Sequence, residues 1–160
     1  MTGVINTLFL RMEEIIKNIL ECEFDDFWSV NILDQNFNNS NSIYFIAKEE
    51  SSDDFTSQTS QESDNILGFI ALLDTPIDIE ISNIVVRKKL RNLGIGQKLL
   101  EQVFNYAIEI KKDLITLEVN EHNVNAIHLY EKNGFKEIHR RKAYYNNIDD
   151  AIFMQKEISA

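Results

Sequence analysis

The stretch ISNIVVRKKLRNLGIGQKLLEQVFNYAIEI, Ile81 to Ile110, decides the reading of this chain. Its first part, with Ile81, Ile84, Val85 and Val86, is apolar and β-branched and predicts a strand. Ile95, Leu99, Val103, Ala107 and Ile110 then fall at helical spacing. Between them, Arg91-Asn92-Leu93-Gly94-Ile95-Gly96 sets two glycines directly before the first turn of a helix, whose N–H groups have no partner within the helix. Arg87, Lys88, Lys89, Arg91 and Lys98 surround this turn with no acid among them. A basic, glycine-containing helix entry suits a phosphate-bearing ligand, the alternative by residue type alone being a tight turn with incidental glycines.

Two common nucleotide folds are disfavoured by spacing. The dinucleotide fingerprint needs GxGxxG, and the phosphate loop of nucleotide hydrolases needs GxxxxGK[ST]; neither is present. The pattern is [Q/R]xxGx[G/A] between strand and helix.

Outward from this stretch, 160 residues suit one domain, residues 1–160, with a core large enough to need no staples. No apolar run reaches the roughly 20 residues of a membrane helix, and MTGVINTLFLRMEE lacks the pattern of a secretory signal, so a cytoplasmic protein without membrane association is expected. Cys22 is the single cysteine, which excludes an internal disulfide and reads as a packing residue. A net charge of −10 argues against direct nucleic-acid binding and suits either solubility or a basic partner.

In chain order, Val4–Leu10 predicts a strand, Glu13–Cys22 an amphipathic helix, and Val30–Gln35 a short helix capped by Ser29. Phe24, Phe27 and Trp28 form an aromatic cluster that suits packing or the wall of a substrate groove. Ile43–Lys48 and Ile66–Leu73 predict strands. The segment 49–65 between them is long, acidic and without a basic residue, a composition expected to be flexible, or to act as an arm toward a basic substrate. Ile79–Val86 and Leu114–Val119 are further strands, and Asn123 caps a helix over Val124–Lys132. Phe135–Arg140 and Ala151–Ile158 are the last strands, with RKAYYNNIDD read as the loop joining them. The order β-α-α-β-β-β-α-β-α-β-β indicates an α/β or α+β fold around one mixed sheet.

With these residues in place, the chain resembles the GCN5-related N-acetyltransferases, and its second half the RimI-like group that acetylates the N-terminal alanine of a small-subunit ribosomal protein. The stretches that carry the resemblance are NIVV, RNLGIGQKLLE, LEVNEHNVNAIHLYEKNGF, RRKAYY and DDAIFM, spanning roughly Gly68 to Ile158. Before Gly68 the match is loose, resting on the strand-helix opening and on Phe27 to Ser29. The resemblance implies a twisted, mostly antiparallel mixed sheet of about seven strands with four flanking helices, splayed between the fourth and fifth strands. It also implies acetyl-coenzyme A as co-substrate. The pantetheine arm would lie along Ile84, Val85 and Val86, and the pyrophosphate on Arg91, Asn92, Leu93, Gly94, Ile95, Gly96 and Gln97. Asn123 would contact the cofactor, a role compatible with capping its helix.

By the same resemblance Glu118 is the general base and Tyr130 the general acid, while Tyr144 and Tyr145, with Arg140 and Arg141 before them, line the substrate cleft. By residue type alone, Glu118 is equally a solvated strand residue and Tyr130 a core residue. An α-amine with pKa about 7.7–8.0 is easier to deprotonate than a lysine at about 10.4, a gap near 3.4 kcal/mol, so one modest base suffices for a chain terminus. The expected partner is a protein with a basic N-terminal tail. Acetylation of internal lysines or of a small amine, and a non-catalytic acyl-coenzyme A-binding module, are the competing readings. Two departures from the family stand out: the long 49–65 segment, and Arg87-Lys88-Lys89-Leu90, which lacks the proline common in that turn. His122, His128 and His139 lack the spacing of a metal set, and no metal requirement is expected.

Overall fold

The computed structural model describes residues 38–48 and 66–159. The expected strand Val4–Leu10, the helices Glu13–Cys22 and Val30–Gln35, Cys22, the aromatic cluster and segment 49–65 lie outside these residues. Within them run β1 (Ser42–Lys48), β2 (Ile66–Asp74), β3 (Ile79–Val86), a 3₁₀ turn (Lys88–Leu90), α1 (Ile95–Glu109), β4 (Leu114–Asn120), α2 (Val124–Lys132), β5 (Lys136–Tyr145) and β6 (Asp149–Glu157). The six strands form one sheet in the order β1-β2-β3-β4-β6-β5. All neighbours are antiparallel except β3 and β4. This is the mixed α+β architecture that the order of elements indicated.

One face of the sheet carries the core. Ile79, Ile81, Ile115, Leu117 and Val119 alternate along β3 and β4 and meet Leu99, Leu100, Val103 and Ala107 of α1, all buried. Apolar period two in the strands and period near four in the helix put these residues on facing surfaces. Burying each of the Ile, Leu and Val side chains stabilises the fold by about 1.5–3 kcal/mol.

The single parallel pairing is short. β3 and β4 are in register only from Ile79↔Ile115 to Ile81↔Leu117. Beyond Ile81 the strands diverge, which is the splay, and among the described residues no strand pairs with the side of Asn83–Val86 turned away from β2. A bulge marks the point of divergence. Ala71 stands opposite Asn83 and Leu72 opposite Ile81, leaving Ser82 unpaired on β2.

The joining loop RKAYYNNIDD is corrected by the structure. β5 continues to Tyr145 and β6 begins at Asp149, so only Asn146–Ile148 turns. Asn146 and Asn147 both take positive φ, 53° and 56°, as a tight hairpin turn requires, and Ile148 N–H closes it onto Tyr145 C=O at 3.0 Å. A polar stretch without alternation gives no strand signal, yet its main chain pairs with β6.

Candidate active site

The gap opened by the splay is a cavity of about 550 Å³. β3 supplies Asn83, Ile84, Val85 and Val86; the turn and α1 supply Leu90, Arg91, Asn92, Gly94, Ile95, Gly96 and Gln97. Asn123 and α2 residues Asn125, Ala126, His128, Leu129 and Lys132 close the far wall. Ten of the eleven positions that the resemblance implies for the cofactor thus share one wall system. The exception is Leu93, which is 67% exposed and off the wall.

The local chemistry of the turn follows from its residues. Gly94 caps α1 at φ 83°, a left-handed conformation that glycine takes without strain, and α1 has no acid in its first turn. The free N–H groups of that turn therefore face the cavity with the helix dipole unopposed. Arg91 Nε donates to Val86 C=O at 3.2 Å and so folds the basic turn back over the end of β3. A side chain at Gly96 would press on Leu129 Cδ2 at 3.2 Å, so the absence of a Cβ lets α1 approach α2. Among the described residues, Asn83 Nδ2 is a buried donor without a hydrogen-bond partner, on the wall beside the bulge.

Asn123 performs its capping role: its Oδ1 accepts from Ala126 N–H at 3.3 Å. It lines the cavity as well. The α2 face with His128, Leu129 and Lys132 was not legible in the sequence. Residues 125, 128, 129 and 132 repeat at helical spacing but are mixed in polarity, and only the tertiary placement of α2 shows which side meets the cavity.

Glu118 points to the sheet face opposite the core, its side chain 23% exposed, with Oε1 3.2 Å from Arg141 Nε. The same guanidinium lies 5.4 Å from the centre of the Tyr144 ring. Tyr130 is buried against Phe135, ring centres 5.5 Å apart. Burial first, and the neighbouring Tyr145 second, hold its phenol well above the ordinary value, so it stays protonated at neutral pH. Tyr145 is half-buried and its phenol is also raised, by burial, then by the Glu118 carboxylate and Tyr144. Tyr145 therefore senses Glu118 and is sensed by Tyr130. Sequence reasoning missed Glu80, whose partner in the parallel register is Thr116 and which shares a face with Glu118. Partial burial, then Asp78 and Glu118, raise its carboxyl, and Arg141 partly offsets them.

The fold also gathers groups that histidine spacing did not: one ligand-type atom each of Glu121, His122 and Asp149 lies within 4.8 Å of the others. Hydrogen bonds already occupy these carboxylates. Glu121 Oε1 accepts from Asp150 N–H at 2.9 Å, and Asp149 Oδ2 accepts from the Asn120 amide at 3.0 Å.

Comparison of the chain with family models decides the family: the acetyltransferase (GNAT) family model matches residues 13–135. The chain belongs to the GNAT acetyltransferase family. The ribosomal-protein-S18-alanine N-acetyltransferase of Escherichia coli superposes on this GNAT chain with a TM-score of 0.73 at 24% identity, covering 92% of this chain and 88% of that one. The NAA60 protein of Arabidopsis thaliana, solved in complex with acetyl-CoA, gives a TM-score of 0.70 at 20% identity over 95% and 94% of the two chains. At these identities the likeness is one of fold. In sequence, an N-alpha-acetyltransferase of Sulfurisphaera tokodaii is 35% identical over 91 residues, 54% of each chain. The chain spans about half the length of the curated relatives it matches. No helix among the described residues is long and apolar enough to cross a membrane.

Proposed function

We propose that this GNAT protein transfers the acetyl group of acetyl-coenzyme A to the N-terminal α-amine of a protein with a basic N-terminal tail, with alanine of a small-subunit ribosomal protein as the target. The observation that carries the reading is the cavity itself. A strand edge at Asn83–Val86 that no described strand pairs with and the N-terminus of α1 at Gly94–Gln97 meet in one gap. Such a gap suits a ligand with amides at one end and a pyrophosphate at the other. The buried, unpartnered Asn83 amide fits a polar acceptor at the acyl end.

In this reading the amine nitrogen attacks the thioester carbonyl carbon, the carbon–sulfur bond breaks, and the products are the amide and free coenzyme A. Glu118 takes the proton that the amine loses. Tyr130 gives its phenolic proton to the departing sulfur, and the cycle closes when Glu118 loses the proton it took and Tyr130 regains one, with no net proton taken up. The main chain released from pairing at the Ser82 bulge offers hydrogen bonds to the developing oxyanion. Tyr144 and Tyr145 hold the incoming terminus. Curated relatives that carry the name N-alpha-acetyltransferase support an α-amine over a lysine.

The test is acetyl transfer to a short basic peptide beginning with alanine, beside an N-terminally blocked copy holding the same lysines. Turnover of the free terminus alone supports the reading. Equal turnover of the blocked copy moves the assignment to internal lysines, and binding of acetyl-coenzyme A without turnover of either moves it to an acyl carrier.

A further inference from the structure

The hairpin of β5 and β6 contains an irregularity that the reaction as described does not use. Arg141 stands opposite Ala151 and Tyr145 opposite Asp149, so Lys142, Ala143 and Tyr144 together face one residue, Asp150. At the centre of this bulge Ala143 takes φ 50°, the left-handed region that a side chain disfavours. Something must hold it there, and Asp150 is placed to do so. Its side chain is 12% exposed, and its carboxylate accepts from Ala143 N–H at 3.0 Å and from Lys142 Nζ at 2.7 Å. The main chain of Asp150 is itself anchored: its N–H donates to Glu121 Oε1 at 2.9 Å, and its C=O accepts from Glu121 N–H at 3.1 Å. The bulge is thereby tied to the turn that follows Glu118.

Both ends of the bulge reach the proposed chemistry. Arg141 pairs with Glu118 and stacks on Tyr144, while Tyr145 packs edge-on against Tyr144 with ring centres 5.2 Å apart. None of these residues lines the cavity between β3, α1 and α2. Resting on the function proposed above, we propose that Asp150 is a positioning residue for the acceptor: its carboxylate locks the Lys142–Tyr144 bulge in the form that presents Arg141, Tyr144 and Tyr145 to the incoming amine terminus. It acts on the peptide and leaves acetyl-coenzyme A untouched.

The experiment combines amide hydrogen exchange at Ala143 with steady-state kinetics on the alanine-initiated peptide. It uses full-length wild type, Asp150→Ala, Asp150→Asn, and Asp150→Ala combined with Ala143→Gly. In Asp150→Ala the Ala143 amide loses its protection and the peptide KM rises about tenfold, while the acetyl-coenzyme A KM stays within about twofold. Adding Ala143→Gly recovers much of the peptide KM, because glycine adopts the left-handed conformation without strain. Asp150→Asn keeps an oxygen for the Ala143 N–H; it retains both protection and peptide KM, and it is the variant that decides should Asp150→Ala not fold. An unchanged peptide KM in Asp150→Ala overturns the assignment, as does an equal rise in both KM values, failure of Ala143→Gly to rescue, or loss of protection in a folded Asp150→Asn. Absence of turnover by wild type overturns the reaction itself, and is distinguished by an Ala143 amide that remains protected.

Discussion

Gln97 and Asn133 form a reciprocal amide pair. Gln97 Nε2 donates to Asn133 Oδ1 and Asn133 Nδ2 donates to Gln97 Oε1, each at 2.8 Å. The first residue stands in the opening turn of α1 and the second caps the end of α2, so the pair joins two walls of the cavity. Asn133 Nδ2 also donates to Leu129 C=O at 2.7 Å, which fixes its orientation. The pair therefore ties the wall residue Gln97 to the end of α2 and helps set the width of the gap at the basic turn. Replacing Gln97 by Ala removes both bonds and is expected to cost about 1–2 kcal/mol in urea unfolding. Acetyl-coenzyme A titrated by calorimetry should bind several-fold more weakly, and unchanged affinity would show that the pair does not set the gap.

Gly68 tests the strand edge from the opposite side. A Cβ there would lie 2.4 Å from Val85 C=O, a main-chain atom of β3 that cannot step aside alone. Gly68→Ala should destabilise by about 1–3 kcal/mol and weaken acetyl-coenzyme A binding together, because the displaced backbone is the cavity wall. A thermal melt and a binding titration on the same sample check this.

Glu118→Gln and Tyr130→Phe separate chemistry from binding. Each is expected to lower kcat by about 10²–10⁴ and leave the affinity for acetyl-coenzyme A unchanged. Wild-type turnover in both variants would remove the proposed acid and base. Tyr130→Phe keeps the buried ring against Phe135, so its melting temperature should move little.

Glu80 supplies a pH dependence with a definite sign. Its carboxyl is raised in the folded protein, by partial burial, Asp78 and Glu118, so the native state binds the proton more tightly than the unfolded chain does. Stability from this group is present at and below the ordinary glutamate range and falls as pH rises from there through the folded value. Glu80→Gln should therefore melt higher than wild type at pH 7.5, and the gap should close at pH 4. An equal melting difference at both pH values would contradict it.

The strand, basic turn and helix from Ile79 to Glu109 were legible because each depends on neighbours in sequence: β-branched residues, a glycine before a helical stripe, and no acid in the first turn. β4 and α2 were legible for the same reason. The two hairpin strands were read at Phe135–Arg140 and Ala151–Ile158, but their continuation toward the turn was not: residues 141–144 are exposed and show no alternation, and pairing with β6 is what makes them strand. The grouping of Glu121, His122 and Asp149 was hidden likewise, since the third member arrives from the far strand of that hairpin.

By itself the sequence determined the local devices of this protein: a basic, glycine-capped helix entry without an acid in its first turn, a cap at Asn123, and apolar faces of the right period. Those properties are set by backbone stereochemistry and by residues within a few positions of one another. Only the tertiary structure decided that β3 pairs with β4 for three residues and then leaves it, that α2 closes the resulting gap, and that Arg141 meets Glu118. These relations join residues that are distant in the chain. They exist because the strands and helices, once formed, have one arrangement that buries their apolar faces together.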